Sequence, residues 1–202
     1  KTQIKDRAVF ENRTYDDFKA LNLQLNEFWE MDTVLSARGC LKCILTFVDP
    51  EILLFYARLL PCHEPCYVER AFDTLEKTLG GVYEFQSMLP IILTDRGSEF
   101  GKPDNPETNK DGIIRTSIYY CDPMSSGQKG CLEEAHTLLR MILPKGTLFT
   151  DLTQWDVRRI VNHMNSYARK NLEGATPYQL ALKKYGPRYS RPCRSNSSRQ
   201  MK

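Results

Sequence analysis

Residues 89–100 read LPIILTDRGSEF, a short apolar run followed by a charged turn. The run is almost wholly apolar, which is typical of a central strand covered on both faces of a sheet. It ends at Asp95, and Gly97 is expected to give the chain room to turn. Because active-site residues in open α/β sheets usually lie at the carboxyl ends of strands, Asp95 is a candidate site residue.

Four more strands are predicted around this one. Residues 27–35 (EFWEMDTVL) form the first and carry Asp32 in its second half. Residues 40–49 (CLKCILTFVD) and 52–60 (ILLFYARLL) form the next two, because both are rich in β-branched or aromatic residues. Short connections between these three strands predict an antiparallel meander. Residues 113–121 (IIRTSIYYC) read as the last strand.

A helix is predicted between the third and fourth strands. Apolar residues recur at helical spacing along residues 68–79, and Gly80 and Gly81 supply the stop. Residues 99–112 (EFGKPDNPETNKDG) are polar and rich in Pro and Gly, so they read as a loop. Strands combined with helices on both faces make an α/β layer fold.

Three helices are predicted after the last strand. The first contains residues 128–136, which read QKGCLEEAH. The second begins at Thr153, which forms a capping-box pattern with Asp156 three residues on. The third begins at Thr176, with Pro177 at its first helical position.

The charge of the chain is distributed unevenly. The net charge is +3, but residues 158–202 carry eleven Lys or Arg and one acid, so that segment is +10 and the remainder is −7. A basic segment on an acidic body is typical of a polyanionic partner such as nucleic acid, although a solvated tail has the same composition. No apolar run approaches the roughly 18 residues of a membrane span, and the residues given do not have the pattern expected of a signal peptide.

The seven cysteines indicate reduced thiols in a cytoplasmic setting, because a disulfide framework usually accompanies a secretory signal. Cys40 and Cys43 have CxxC spacing, but they lie in a strand-like run, where residues three apart point to opposite faces. Residues 62–66 read CHEPC and resemble a metal knuckle. A zinc-stabilised interaction module built on Cys62, His63 and Cys66 is therefore one alternative function.

The acids suggest a different metal site. If the strands that carry Asp32 and Asp95 are neighbours, a helix packed across their ends could add a third carboxylate. Converging acids repel one another unless cations neutralise them, and hard oxygen ligands suit Mg²⁺ or Mn²⁺. Two such ions roughly 3.5–4 Å apart can clamp the attacking and leaving oxygens of a phosphodiester. Strand-end aspartates also commonly make turns, so the acids alone leave both interpretations open.

Five stretches then occur in an order that resembles a known family. They are EMDTV (30–34), IILTDRGSEF (91–100), YYCDPMSSGQKGCLEE (119–134), LPKGTLF (143–149) and NSYARKNLEGATPYQLA (165–181). Together they closely resemble the DDE transposases of bacterial insertion sequences, specifically the IS-thirty family. The resemblance implies a ribonuclease H-like core, with a five-stranded mixed sheet flanked by helices. It also implies metal-dependent cleavage at the ends of a DNA element and transfer of the freed 3′-hydroxyl to target DNA.

The resemblance assigns the acids residue by residue. Asp32 matches the first catalytic aspartate, Asp95 the second, and Glu133 the catalytic glutamate, and together they are expected to hold two Mg²⁺ or Mn²⁺ ions. The family usually places asparagine after this glutamate, where this chain has Glu134 and Ala135. Gly127 also replaces what is often an aromatic residue.

These departures motivate an alternative, a catalytically impaired DNA-binding relic of a transposase. Helical phase does not choose between the paired glutamates. Glu133 and Glu134 flank an apolar stripe formed by Leu132, Ala135, Leu139 and Ile142.

The resemblance also implies partners. The partners are the element's terminal inverted repeats, target DNA and further copies of the chain in a homo-oligomer, with no membrane. Basic or imidazole side chains around the site are candidate phosphate contacts, with a solvated surface as the alternative; they are Arg96, Lys129, His136, Arg140, Lys145 and Arg169.

The expected domain organisation follows from the same resemblance. We expect an N-terminal linker or helical segment at 1–27, an integrase-like catalytic core at 28–150, C-terminal helices of the core at 151–186, and a basic disordered tail at 187–202.

Overall fold

A computed structural model describes residues 2–189, so residues 190–202 of the predicted tail lie outside the described part of the chain. The strands are β1 (Trp29–Leu35), β2 (Cys43–Asp49), β3 (Leu54–Leu60), β4 (Ile91–Thr94) and β5 (Ser117–Tyr120). They form one sheet in the order β3-β2-β1-β4-β5. The helices are α1 (Tyr15–Ala20), α2 (Pro65–Leu79), α3 (Val82–Met88), α4 (Asp104–Glu107), α5 (Gly130–Ile142), α6 (Gln154–Asn165) and α7 (Pro177–Tyr189), which kinks at Gly186.

The sheet is mixed, and its register brings the two candidate aspartates together. β1, β2 and β3 form the predicted antiparallel meander, with Asp32 paired to Thr46. β4 runs parallel to β1, and β5 runs parallel to β4. Glu30 pairs with Leu93, and the same register continued by two residues brings Asp95 level with Asp32. The strands that carry Asp32 and Asp95 are therefore neighbours, which is the condition for a site shared by the two aspartates.

The core lies between the sheet and the helices. Every residue of β2 is buried, as expected for a strand covered on both faces. α2 packs its predicted apolar stripe into the core and ends at Gly80, whose φ of 119° is left-handed. α3 follows at once and was not predicted. The buried stripe of α2 is Val68, Ala71, Phe72, Leu75 and Leu79.

The edge strand β3 is covered by α6. The side chain of Gln154 accepts from the Leu59 N–H (2.8 Å) at one end of the helix. At the other end, Asn165 accepts from the Phe55 N–H (2.9 Å) and donates to the Phe55 carbonyl (2.7 Å), like one more residue of a neighbouring strand. These bonds use backbone groups that an open edge would leave for another chain. Asn165 begins one of the stretches that resemble the known family, and in the structure its side chain covers the edge of β3.

The region predicted as a loop at 99–112 is more ordered than its composition indicates. It contains a 3₁₀ turn at Ser98–Phe100 and the short helix α4. Glu99 and Glu107 are both buried there. Glu107 accepts from the Ile118 N–H (2.6 Å) and pairs with Arg13. A polar composition misleads here, because charged groups with partners can be buried.

The N-terminal segment packs against the strand ends. Residues 2–4 run antiparallel to residues 96–98, with the Ile4 N–H donating to the Arg96 carbonyl (2.9 Å) and the Ser98 N–H to the Thr2 carbonyl (2.8 Å). α1 begins at a capping box formed by Thr14 and Asp17. Within residues 2–189, no helix is long and apolar enough to cross a membrane.

Candidate active site

β1 and β4 present the two aspartates at the same end of the sheet. Asp32 accepts from the Thr33 N–H (2.6 Å), and Asp95 accepts from the Gly97 N–H (3.1 Å). Both residues are half-buried, so each carboxylate is oriented by the backbone and still reachable from solvent. Carboxylate oxygens of the two aspartates lie within 4.8 Å of each other.

A cavity of about 250 Å³ opens over these aspartates and is also lined by Glu133. Glu133 lies in the first turn of α5 and is exposed. Glu134 is exposed too, but it does not line this cavity. Glu134 instead lies near the guanidinium of Arg169. Burial lowers the pKa of Arg169, and the Glu134 carboxylate acts in the opposite direction. The tertiary structure therefore separates two glutamates that helical phase could not separate, since only Glu133 lines the cavity over the aspartates.

The stripe of α5 differs from the prediction at one position. Leu132, Ala135 and Leu139 are buried, whereas Ile142 is 39% exposed. The helix ends there, and Leu143 takes the buried position instead.

Glu99 is a site residue that the sequence analysis missed. Carboxylate oxygens of Asp32, Asp95 and Glu99 lie within 4.8 Å of one another, the one such group of potential metal ligands in residues 2–189. Glu99 accepts from the Thr33 hydroxyl (2.5 Å), and His63 Nε2 lies 2.7 Å from the same oxygen. Oxygen donors at this spacing fit Mg²⁺ or Mn²⁺. Glu99 stands four residues after Asp95 in the sequence, but outside an α-helix that spacing alone does not indicate that the two carboxylates meet.

The neighbourhood of Glu99 also corrects the prediction for Gly97. The residue has a φ of −63°, so it is not needed for an unusual backbone turn. A Cβ added there would lie 2.3 Å from Glu99 Oε2. A side chain at position 97 would therefore have to displace the buried Glu99 carboxylate.

His63 therefore contacts the acid cluster and not a zinc knuckle. Cys62 and Cys66 lie near Glu64, with sulfur–oxygen distances of 3.5 and 3.9 Å. Within the described residues these thiols and His63 form no group with metal-ligand spacing. Cys40 also precedes β2 and is not in the strand, contrary to the prediction.

Two buried ionisable side chains, Lys129 and Glu30, contact the elements that carry the site. Lys129 places its Nζ 3.3 Å from Asp32 Oδ2 and donates to the Met31 carbonyl (3.1 Å). Glu30 is 4% exposed and accepts from the Leu132 N–H (2.6 Å). Burial raises the pKa of Glu30 to about 7, against the opposite effects of the Leu132 N–H and the Lys129 ammonium.

The predicted DNA contacts lie in three different environments. Arg96 lines the cavity, stacks over the Phe10 ring at 4.4 Å and donates to the Cys121 carbonyl (2.9 Å). His136 lines the same cavity and also a second one, of about 530 Å³, which Arg140 and Lys145 line as well. Lys129 also lines the first cavity but is buried.

Arg169 differs from the other predicted contacts. It is 8% exposed and donates to the Met164 carbonyl (3.1 Å). The prediction of a DNA contact needs correction, because this guanidinium lies inside the fold. Lys184 of the basic segment is likewise paired, with Asp49 (2.8 Å) and Glu51 (2.6 Å).

No protein-family model matches the chain. The chain is 30% identical over 187 residues to the putative integrase ORF3 of Spiroplasma virus SpV1-R8A2 B, covering 89% of this chain and 55% of that protein. It is 26% identical over 148 residues to the transposase for insertion sequence element IS4351 of Bacteroides fragilis, covering 73% and 42%. Over 63 residues it is 33% identical to the transposase InsI for insertion sequence element IS30A of Escherichia coli (strain K12), covering 31% and 16%. The chain spans about half the length of the first two relatives.

Solved structures show the same fold class. The catalytic core domain of BIV integrase aligns with a TM-score of 0.55 and 18% identity, covering 81% of this chain and 99% of that one. The intasome of simian T-cell lymphotropic virus, in complex with PP2A regulatory subunit B56 gamma, contains a chain that aligns with a TM-score of 0.54 and 15% identity, covering 77% and 54%. The fold is the ribonuclease H-like fold of integrase catalytic cores. The chain is a homologue of insertion-sequence transposases and of a viral integrase, which confirms the resemblance found in the sequence.

Proposed function

We propose that this chain is the catalytic part of an insertion-sequence transposase, which cleaves DNA strands at the ends of the element and transfers them to target DNA. The observation that carries the proposal is the convergence of Asp32, Asp95 and Glu133 on one cavity, from β1, β4 and α5. Three carboxylates around an open space are the donor set that hard divalent cations take. The relatives named as transposases and integrase support the same class of reaction.

The residues of the site have separate roles in this proposal. Asp32, Asp95 and Glu133 would hold two Mg²⁺ or Mn²⁺ ions, which supply charge stabilisation for the attacking and leaving oxygens of a phosphodiester. Backbone N–H groups orient both aspartates before substrate arrives. Glu99 adds negative charge beside them, and Lys129 offsets part of that charge at Asp32.

DNA is proposed to cross the two adjoining cavities. His136, Arg140 and Lys145 line the second cavity, and Arg96 lines the first. Cationic contacts of this kind bind the phosphate backbone without reading sequence, and their affinity falls steeply with salt. The active complex is proposed to be a homo-oligomer in the bacterial cytoplasm.

The test compares the two adjacent glutamates. Nicking of a supercoiled plasmid in Mn²⁺ is measured for the wild type, Glu133→Gln and Glu134→Gln, two variants with the same chemical change on the same helix. We expect Glu133→Gln to slow nicking by about 10³-fold or more, because a metal ligand supports several kcal/mol of charge stabilisation. We expect Glu134→Gln to stay within about threefold of the wild type, as a surface change does.

The opposite pattern would show that Glu134 is the ligand. Nicking that survives Asp32→Asn would overturn the metal triad altogether. A wild-type protein that binds DNA and never nicks it would favour the alternative, an impaired DNA-binding relic.

A further inference from the structure

The helix that carries Glu133 is fastened to β1 by side chains from both elements. Lys129 reaches from the start of α5 to the Met31 carbonyl (3.1 Å) and to Asp32 (3.3 Å). Glu30 reaches from β1 to the helix, where its Oε2 accepts from the Leu132 N–H (2.6 Å). The carboxylate therefore bonds to the residue directly before Glu133, although 102 positions separate the two bonded residues.

Glu30 replaces the local cap that α5 lacks. The first N–H groups of a helix have no partner within it, and a side chain of the preceding residue usually serves them. Here the preceding residue is Lys129, which makes no capping hydrogen bond. A carboxylate also suits the positive end of the helix dipole. Glu30 thus supplies from a distant strand what the local sequence does not.

The burial of Glu30 is difficult to explain as a stability device. Its residue is 4% exposed, and Glu133 adds repulsion nearby. A buried carboxylate is costly even when it is paired, and an uncharged cap would serve the helix with less desolvation. The contact of Glu30 with α5 instead fixes the position of the helix relative to β1. Glu30 and Asp32 are two residues apart and project from the same face of that strand. One strand therefore provides a metal-binding side chain and fixes the helix that provides another.

We propose that Glu30 is a positioning residue that sets the distance between Glu133 and the Asp32–Asp95 pair. This inference rests on the proposed function, since it concerns how that site is assembled. Supporting partners of metal ligands generally affect metal affinity or activity by about 10–100-fold.

The test combines substitutions at Glu30 and Glu133. Glu30→Ala is expected to reduce Mn²⁺-dependent nicking and Mn²⁺ affinity by about 10–100-fold, the affinity being measured by calorimetry. Glu30→Gln is expected to restore most of both, because its amide oxygen still accepts from the Leu132 N–H. Glu30→Asp, one carbon shorter, keeps the charge and is expected to resemble Glu30→Ala.

The decisive comparison is the double variant. If Glu30 acts through Glu133, Glu30→Ala lowers Mn²⁺ affinity no further in a Glu133→Gln protein, because residues that act as a unit are not additive. Glu107→Ala is the matched control, since Glu107 is also a buried glutamate that accepts a backbone N–H. It is expected to reduce stability without changing Mn²⁺ affinity.

Each contrary result has a distinct meaning. Wild-type Mn²⁺ affinity in Glu30→Ala would overturn the inference, and so would additive losses in the double variant. Equal losses of Mn²⁺ affinity in Glu107→Ala would show that Glu30 acts only through stability. Full activity of Glu133→Gln would instead overturn the proposed function, whatever Glu30 does.

Discussion

The edge of the sheet at β3 and the cavity at the ends of β1 and β4 both hold polar side chains that are at least half-buried. At the edge, Gln154 and Asn165 bond to backbone groups of β3. In the cavity, the carboxylates of Asp32, Asp95 and Glu99 lie within 4.8 Å of one another. The edge therefore places opposite partial charges together, whereas the cavity places like charges together.

The polar groups at the edge contribute to the stability of the fold, whereas the clustered acids in the cavity are expected to serve function. Polar groups that bond to backbone stabilise the fold, because a buried donor or acceptor left without a partner costs about 1–3 kcal/mol. Like charges held together destabilise the fold, and they persist where a ligand such as a cation compensates for them. Substitutions at the β3 edge should therefore lower the free energy of unfolding, whereas substitutions of the acids in the cavity should lower activity and leave stability unchanged or higher.

The largest expected effect is at the cavity. Asp95→Asn should slow Mn²⁺-dependent nicking by about 10³-fold or more. In EDTA the same change should leave the free energy of unfolding unchanged or raise it by about 1 kcal/mol, because it removes one of the clustered charges. Its amide oxygen can still accept from the Gly97 N–H. Urea denaturation checks the second part, and a clear loss of stability would show that Asp95 is mainly structural.

At the edge strand the expected effect is on stability. Asn165→Ala should lower the free energy of unfolding by about 2–4 kcal/mol, since it leaves a backbone N–H and a carbonyl of Phe55 without their partner. The folded fraction should still nick DNA. Asn171→Ala, at an exposed position of the same region, is the control and should change stability by less than about 0.5 kcal/mol. Similar urea midpoints for the two variants would remove the contrast.

A smaller effect is expected at Gly97, where the cavity meets the chain turn. Gly97→Ala should lower the free energy of unfolding by about 1–3 kcal/mol, because the added Cβ overlaps the Glu99 carboxylate. Gly127→Ala is the control, since a Cβ there meets nothing within 4 Å. Thermal melts of both variants measure the difference. Equal melting temperatures would indicate that Glu99 moves aside without cost.

The smallest effect concerns thiol chemistry. Burial raises the pKa of Cys121, which lines the cavity, to about 12 and that of Cys131 to about 11. Because the thiolate is the nucleophile, both should react slowly with iodoacetamide at pH 8. Exposed Cys66, and Cys40, whose pKa a hydrogen bond with Ser36 lowers, should react before them. Peptide mass spectrometry gives the order. Rapid labelling of Cys121 would show that the cavity floor opens to solvent.

Local sequence patterns predicted the strands and most helices. The apolar run before Asp95 indicated a central strand, and the capping pair of Thr153 and Asp156 marked the start of α6. Such features depend on residues within a few positions of one another, so one sequence is enough to recognise them. Glu99 was missed because its burial depends on Thr33 and His63, which come from other parts of the chain.

The same limit explains why Gly97 and Arg169 were misread. Gly97 was expected to allow a turn, yet its φ is an ordinary −63° and the Glu99 carboxylate occupies the space where a Cβ would lie. Arg169 was expected on a surface, yet its guanidinium is buried against the Met164 carbonyl. In each case the residue type was informative, and its neighbours in space gave the reason.

By itself, the sequence determined the strand and helix periods, the family resemblance and the three candidate acids. Only the tertiary structure decided that Glu133 and not Glu134 lines the cavity over the aspartates, that Glu99 lies beside them, and that Glu30 caps α5. The physical reason is the distance along the chain between the residues that interact. Periodicity and capping act within one or two turns of chain, whereas the site is made of contacts between residues many positions apart, whose directions packing alone sets.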